Sequence, residues 1–265
     1  MVRGFYTAAA GMITQEKRLN VHSNNIANVS TAGFKKDALI QGTFGEHMAT
    51  RMDLYRGDEA PEIGSSLFMT TTVDEFSDFT QGALEFTENP YNTAIIGAGY
   101  FVVRDAQGNQ SLTRNGQLAL DDEGYLVLPN YGRIQGENGD IQLGNHRFTI
   151  TADGMIYLQG DMLDPTAEAD EIDRILVVAP LGEIDDFKKS GTEMFTAAAG
   201  YQQIDPLDVN TSLRQGALER SNVNVADEMS MIIATQRSLQ TCSQLVKMYD
   251  ELAETANSRI SRVNA

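Results

Sequence analysis

Apolar residues recur every three or four positions at both ends of the chain. Near the start this row comprises Phe5, Ala8, Met12, Gln15, Leu19, His22, Ile26 and Val29, six of which are apolar. Near the end the same spacing collects Ile232, Thr235, Leu239, Cys242, Val246, Tyr249, Ala253, Ala256, Ile260 and Val263. This period predicts two helices, each with one face suited to packing on another helix. For the first row, packing in the core of a compact domain is an equally good interpretation.

The second helix is predicted to be long. No Pro or Gly occurs from Asn222 to the end of the sequence, and Asn224 is a suitable N-cap residue. Asp227 and Glu228 then fall in the first turn, where the helix dipole favours anions. A helix over residues 225–263 spans about 58 Å at 1.5 Å per residue, which exceeds the width of a compact domain of this size. Its apolar face therefore needs a partner, and the N-terminal helix has the matching period.

The middle of the chain has a different period. Seven short runs have β character and are separated by turn sequences such as Asn-Gly and Asp-Gly; they cover residues 100–103, 117–120, 125–128, 141–143, 147–150, 155–158 and 174–179. This spacing predicts antiparallel hairpins. The expected fold is therefore α+β and mainly β: the N- and C-terminal helices pair as a coiled coil, and an antiparallel β-sandwich or barrel-like domain is inserted between them.

Four segments follow from these patterns. We expect an N-terminal helix in residues 1–36, an extended arm in residues 37–80, a β-rich domain in residues 81–221 and a long helix in residues 222–265. The arm contains several glycines and no stable period, so it is expected to be partly flexible and to order on contact with a partner. The pentapeptide Gln-Gly-Ala-Leu-Glu occurs at both residues 81–85 and 215–219, which predicts two similar extended segments at the junction.

Charge narrows the range of partners. The 265 residues carry a formal net charge of −17, and no apolar run approaches the roughly 20 residues of a membrane-spanning helix. Residues 1–36 carry +4 and residues 222–265 carry −1, which leaves −20 for the middle of the chain. We therefore expect no nucleic-acid partner and no direct membrane insertion, because phosphate groups would be repelled.

No catalytic, cofactor-binding or metal-binding residues are predicted. The single cysteine, Cys242, cannot form an internal disulfide, and His47 and His146 are far apart in the sequence. The Gly97-Ala98-Gly99 run lacks the third glycine of a dinucleotide fingerprint. The acidic stretch at residues 121–124 is interpreted as a hairpin tip, since it lacks the spaced ligands of a calcium loop.

The most distinctive local sequence follows the first helix. Asn24, Asn25 and Asn28 precede Gly33, and Gly33 is the residue type that a left-handed helix stop requires. With such a stop, Phe34 would fold back on Val29, and Lys35 and Lys36 would lie beside the negative end of the helix dipole. The asparagines suit either a local cap or a contact with a neighbouring molecule.

At these residues the sequence resembles a known family. Residues 23–36 are similar to the N-terminal signature of the bacterial flagellar axial proteins, the rod and hook family. The similarity continues in residues 87–90, 94–103, 112–116, 120–127, 218–224 and 231–237. Tyr91-Asn92-Thr93 departs from the usual Leu-Asp, and Thr235 replaces an alanine. The length favours a basal-body rod protein of the FlgG or FlgF type over a hook subunit, and the long arm favours the distal over the proximal rod.

The resemblance implies a structural role. Terminal helices in this family pack with those of neighbouring copies into a tubular shaft that transmits torque, and the β domain faces outward. The implied partners are copies of the chain, other rod and hook proteins, the flagellar export apparatus and basal-body ring proteins. The implied location is the basal body outside the cytoplasmic membrane, reached without a cleaved signal peptide. An extracellular adhesin that presents an acidic β domain is the alternative. The residues expected to contact other subunits are Phe5, Ala8, Met12, Leu19, Asn24, Asn25, Ile26, Asn28, Gly33, Phe34, Lys35, Ile232, Gln236, Leu239, Val246, Tyr249, Ala253 and Ile260.

Overall fold

The computed structural model describes residues 2–43, 46–50, 62–67, 70–144, 147–158, 170–181, 187–197, 200–204 and 211–263. Within them lie two helices, α1 (Val2–Ala27) and α2 (Val225–Val263). The strands are β1 (Asp37–Thr43), β2 (Glu46–Thr50), β3 (Glu62–Leu67), β4 (Thr70–Ser77), β5 (Leu84–Phe86), β6 (Thr93–Ile96), β7 (Tyr100–Arg104), β8 (Gln110–Thr113), β9 (Ala119–Leu120), β10 (Leu126–Leu128), β11 (Gly132–Gly136), β12 (Gly139–Asp140), β13 (Phe148–Ile150), β14 (Met155–Leu158), β15 (Asp170–Arg174), β16 (Val177–Pro180), β17 (Phe187–Lys189), β18 (Met194–Ala197), β19 (Tyr201–Gln203), β20 (Ser212–Gln215) and β21 (Ala217–Glu219).

The chain divides into two compact units. The helical unit comprises Met1–Ala27, Asp37–Asp78 and Asn224–Ala265, and the β unit comprises Asn28–Lys36 and Phe79–Val223. Residues 28–36 therefore belong with the strands rather than with the first helix. His146 and the central part of the expected arm, residues 51–61, lie outside the described residues.

In the helical unit, α1 and α2 pack against each other in antiparallel orientation. The bounds of α2 agree with the predicted helix over residues 225–263. Asn224 caps it, because its side-chain Oδ1 accepts a hydrogen bond from the Ala226 N–H at 3.1 Å. Asp227 and Glu228 occupy the first turn, as expected. The predicted pairing of the terminal helices is thus confirmed within one chain.

The first helix ends earlier than the sequence suggested. It stops at Ala27, whereas a stop at Gly33 was expected. Asn28 and Thr31 explain the difference, since the Thr31 N–H donates to the Asn28 carbonyl at 3.2 Å and forms a turn. This i to i−3 bond takes the place of the i to i−4 bond that would continue the α-helix. Gly33 is left-handed, with φ of 70°, but it lies six residues beyond the helix.

The segment that was expected to be an extended arm contains strands. β1 and β4 form an antiparallel pair in which Asp37 lies opposite Ser77, and β2 pairs with β3. The Ser77 hydroxyl donates to the Asp37 carboxylate at 2.6 Å. The sequence did not predict these strands, because glycines and consecutive threonines obscure the alternation of apolar and polar residues.

The β unit is built from antiparallel strands throughout its described part, as predicted. Its main sheet has ten strands with the path β17-β18-β8-β7-β11-β10-β9, and β12, β16 and β19 branch from this path. A second sheet follows the order β13-β14-β15, and two further strand pairs are β20-β6 and β21-β5. The described strands do not close into a barrel, so the barrel-like alternative was wrong.

β7 forms the centre of this unit because both of its faces are buried. Phe101 and Val103 point into one apolar cluster together with Ile134 and Leu126. The alternate residues of the same strand join a second cluster, which includes Phe195. Fully burying one side chain of this size stabilises the fold by roughly 1.5–3 kcal/mol, so β7 contributes to the core of the β unit from both of its faces.

Candidate assembly site

Two glycines bring the helices of the helical unit close together. A Cβ atom added to Gly4 would overlap the Tyr249 ring, and one added to Gly11 would lie 3.4 Å from Cys242 Sγ. The two glycines are seven residues apart, as are Cys242 and Tyr249. This fixes an antiparallel heptad register in which α1 presents its smallest residues to the larger side chains of α2.

A polar cluster joins the other end of the helix pair. His22 Nδ1 lies 2.6 Å from Glu228 Oε2, and Asn25 Nδ2 lies 3.4 Å from the same oxygen. Asn25 also bonds twice to the backbone of Asp37, donating to its carbonyl and accepting from its N–H at 2.9 Å each. The buried Asn25 side chain therefore links α1 to both α2 and β1 by hydrogen bonds, because its amide supplies both a donor and an acceptor.

α2 has more apolar surface than α1 covers. On the face toward α1, Thr235 is buried and Leu239, Val246 and Tyr249 are half-buried. Elsewhere on the helix seven large apolar side chains are between 42% and 56% exposed; they are Val225, Met229, Met231, Ile233, Leu245, Met248 and Leu252. α1 adds Tyr6 and Ile13, each 59% exposed and seven residues apart. Both helices thus carry apolar side chains that the helix pair leaves exposed.

The helices also differ in length. Tyr249 lies opposite Gly4, near the start of α1, and α2 continues from there to Val263. The continuation is about 21 Å long at 1.5 Å per residue. This part of α2 extends beyond the N-terminal end of α1.

In the β unit, two cations converge on one carboxylate. Lys35 Nζ lies 2.5 Å from Glu219 Oε1, and Arg114 Nη1 lies 3.2 Å from Glu219 Oε2. The Gly82 N–H donates to Glu219 Oε1 at 3.0 Å, and Lys35 also donates to the Thr80 carbonyl at 2.7 Å. Lys35 and Glu219 are each 1% exposed and Arg114 is 5% exposed. Such a group tolerates burial only when all its members are present.

Gly33 and Phe34 place Lys35 in this cluster. The Gly33 N–H donates to the Glu219 carbonyl at 2.8 Å, and an added Cβ would overlap the backbone of Arg114 and Asn115. Only glycine fits a left-handed position this close to another backbone. Phe34 is 1% exposed, and the Lys189 ammonium lies 3.9 Å from its ring centroid.

Burial changes the ionisation of two neighbouring groups. Burial raises the pKa of Tyr100 to about 12, partly offset by the Arg114 guanidinium, which lies 5.1 Å from the ring centroid. The pKa of the Glu193 carboxyl is also raised by burial, although a hydrogen bond from the Asn115 amide opposes the shift. Both groups favour the neutral form more than they would in water.

The two copies of the pentapeptide pair with each other. Leu84 lies opposite Glu219 and Glu85 lies opposite Leu218, which relates the copies by a local two-fold axis. Each glutamine bridges a second segment: Gln81 donates to the Ile95 carbonyl at 2.7 Å, and Gln215 donates to the Pro90 carbonyl at 2.8 Å. The Leu-Glu ends of both copies are extended and pair with each other, whereas Gly216 is left-handed with φ of 72° and lies in a turn, so the two segments are similar only in part.

The structure distributes the predicted contact residues over three environments. Ala8 and Asn25 in the helical unit and Gly33, Phe34 and Lys35 in the β unit are buried within the chain. Asn24, Gln236 and Ala253 are exposed. The half-buried residues are Phe5, Met12, Leu19, Ile26, Asn28, Ile232, Leu239, Val246 and Tyr249. The side chain of Ile260 lies outside the described residues. Contact with other subunits stays a prediction for the whole set, and the buried residues can act only by positioning others.

Sequence reasoning missed several residues that organise these clusters. Gly4 and Gly11 were passed over because a search for apolar periodicity gives glycine no weight. Their seven-residue spacing inside a helix was the available signal for close approach. Arg114 and Glu219 lie within the residues that resemble the family, but no local pattern shows that they meet Lys35.

Among the described residues, no helix is long and apolar enough to cross a membrane. In the same part of the chain, no group of three or more His, Cys, Asp or Glu side chains is arranged to hold a metal ion.

Three segments of the chain match models of flagellar protein families. Residues 5–35 match the flagella basal body rod protein model, residues 94–158 match the D1 domain model of the flagellar hook protein FlgE/F/G, and residues 214–259 match the C-terminal model of the flagellar basal body rod FlgEFG protein. The flagellar basal-body rod protein FlgG of Bacillus subtilis is 30% identical over 271 residues, which cover 96% of this chain and 97% of the relative. The chain belongs to the flagellar basal-body rod protein family.

Other members of this rod family are similarly close. FlgG of Borreliella burgdorferi is 29% identical, with 97% of this chain and 98% of the relative covered. The flagellar basal-body rod protein FlgF of Caulobacter vibrioides is 29% identical with both chains fully covered. FlgG and FlgF relatives therefore match this rod protein equally well, and the preference for the distal rod stays a prediction. The matched terminal segments include most of α1, the residues around Gly33, and most of α2.

Proposed function

We propose that this chain is a structural subunit of the flagellar basal-body rod. Copies assemble through their terminal helices into a helical tubular shaft that transmits motor torque to the hook and filament. The observation that carries the proposal is the exposed apolar surface of α2, which α1 of the same chain leaves uncovered. Full burial of an exposed side chain of this size gains roughly 1.5–3 kcal/mol, and about half of each side chain is still available for burial by a neighbour.

The geometry of the helical unit suits an open assembly. The exposed residues Tyr6 and Ile13 on α1 differ from those on α2, so a contact between them joins two different surfaces. Such a contact does not close on itself and continues into a filament. The pairing of α1 with α2 acts in this assembly as a two-stranded coiled coil, which sets the spacing of the surfaces that neighbours contact.

The remaining partners follow from the family. Other rod and hook proteins adjoin the ends of the shaft, and ring proteins surround it outside the cytoplasmic membrane. The flagellar export apparatus delivers the chain without a cleaved signal peptide. A chain with one cysteine can pass through a narrow channel unfolded, because no internal disulfide holds it. The adhesin alternative finds no support in the comparisons.

Substitution of exposed leucines on α2 tests the proposal. In a strain that lacks its own copy of the gene, we expect Leu245→Asp with Leu252→Asp to abolish rods in electron micrographs of basal bodies and to abolish swimming. The purified variant is expected to unfold at the same temperature as the unmodified chain, because both side chains are already exposed.

The matched control places two aspartates elsewhere on the same helix. Gln240→Asp with Gln244→Asp adds the same charge at exposed polar positions, and this strain is expected to swim. Normal rods and swimming in the leucine variant would contradict the proposal.

A further inference from the structure

Phe86 is exposed at the rim of a small sheet in the β unit. Its side chain is 70% exposed, more than that of any other large apolar residue in the described part of the chain. It ends β5 and lies opposite Ala217, which is fully buried. Directly opposite residues of an antiparallel pair point to the same face, so the ring extends a buried apolar surface into solvent.

Arg214 lies over this ring. Its guanidinium is 5.5 Å from the Phe86 ring centroid. Arg104, Arg133 and Arg174 of the same unit each pair with a carboxylate, whereas no carboxylate of the described residues lies within ion-pair distance of Arg214. The exposed Arg214 guanidinium thus carries a charge that no carboxylate in the described part of the chain neutralises.

We propose that Phe86 and Arg214 form a contact surface for the acidic β unit of a second copy of this chain. The inference rests on the proposed function, in which the neighbours are copies. Residues 79–223, which make up most of the β unit, carry a net charge of −13, so every copy offers carboxylates to the arginine. Arginine and phenylalanine are enriched at the centres of protein interfaces, where an aromatic ring is covered and a charge is paired.

This contact is distinct from the one between helices. It joins one cationic and aromatic surface to a different, acidic surface, so it continues along a filament as the helix contacts do. It also provides a direct contact between the β units of neighbouring copies. This contact resists rotation of the β unit of one copy relative to that of the next copy. The contact is weakened by salt, since part of its energy is electrostatic.

Site-specific photo-crosslinking in cells tests the contact. The full chain carries p-benzoylphenylalanine in place of Phe86 and is irradiated after assembly. We expect a covalent dimer of the chain, with the cross-link mapped by mass spectrometry to an acid-rich segment within residues 79–223 of the second copy. In the Arg214→Glu variant the dimer yield is expected to fall about tenfold, which corresponds to about 1.4 kcal/mol. The matched control carries the same probe at Leu181, which is 44% exposed in the same unit, and at least tenfold less of this dimer is expected there.

Each outcome decides the inference. The inference is overturned if the probe at Phe86 cross-links to another protein, cross-links only within one chain, or gives no cross-link. It is also overturned if both probe positions give equal dimer yields. Basal bodies purified from the same cells distinguish it from the proposed function. If the chain is present in rods and the Phe86 probe gives no dimer, only the β-unit contact fails. If the chain is absent from rods, the proposed function fails.

Discussion

Lys35 Nζ lies 2.5 Å from Glu219 Oε1, although the two residues are 184 positions apart in the sequence. Lys35 belongs to the N-terminal signature of the family and Glu219 to the C-terminal one. The ion pair therefore joins the short segment Asn28–Lys36 of the β unit to β21, the last strand of the same unit. With Arg114 the cluster contains two cations and one anion, so the carboxylate is its least replaceable member.

Removal of this carboxylate is expected to destabilise the β unit. In Glu219→Gln, Lys35 and Arg114 stay buried without a counter-charge. We expect the free energy of unfolding to fall by about 3–5 kcal/mol, as for other buried ion pairs that lose one partner. Chemical denaturation followed by circular dichroism measures the loss.

The repeated pentapeptide supplies the control for this experiment. Glu85 occupies the equivalent position in the first copy and pairs with Arg220 at 3.5 Å, but both side chains are more than half exposed. Glu85→Gln is therefore expected to change stability by less than about 0.5 kcal/mol. Equal effects of the two substitutions would contradict the role assigned to burial.

A second prediction concerns Gly33. Gly33→Ala places a Cβ against the backbone of Asn115 at a left-handed φ of 70°. Gly108→Ala meets the same conformational penalty, with φ of 89°, but no atom lies within 4 Å of the added group. The second substitution is expected to cost about 1 kcal/mol, and the first is expected to cost several times as much. Thermal unfolding of both variants tests the difference, and similar melting temperatures would disprove the close approach.

The third prediction is a pH dependence from Glu193. Because burial raises the pKa of this carboxyl, the folded state retains the proton at pH values where the unfolded state has lost it. Stability should therefore fall as the pH rises from the ordinary pKa of a glutamate to the raised one, and should stay lower above it. Glu193→Gln stays neutral and its carbonyl oxygen can still accept from Asn115.

Denaturation curves between pH 4 and pH 8 measure this effect. The Glu193→Gln variant should gain stability relative to the unmodified chain as the pH rises, whereas Glu88→Gln, at an exposed position, should follow the unmodified chain. If the difference between the Glu193→Gln variant and the unmodified chain is the same at every pH, the assignment to Glu193 is wrong.

The sequence predicted those features that depend on neighbouring residues. The limits of α2 follow from the Asn224 cap and an uninterrupted helical period, and both agree with the structure. The end of α1 was misplaced because Gly33 is a strong turn signal, while the turn that Asn28 and Thr31 form is a weaker one. A left-handed glycine was correctly expected at Gly33, but it allows a close approach to the backbone of Arg114 and Asn115 rather than a helix stop.

Features that depend on distant residues could not be predicted. Nothing near Lys35 indicates that it is buried, since a lysine after a helix is usually solvated. The pairing of β1 with β4 joins segments about thirty residues apart that lack a clear alternation. Sequence patterns describe a helix face or a strand, and they carry no information about which carboxylate meets which amine across the fold.

The unequal lengths of the two helices affect how a stack of subunits would carry load. α2 runs about 21 Å past Tyr249, the point opposite the beginning of α1, so the two helices do not stop at a common level. In a shaft built from such chains, every transverse section would cut through continuous helix from some subunits. Shear and torsional load would then be distributed over the overlapping lengths of the helices. No plane across the shaft would contain the ends of all the helices.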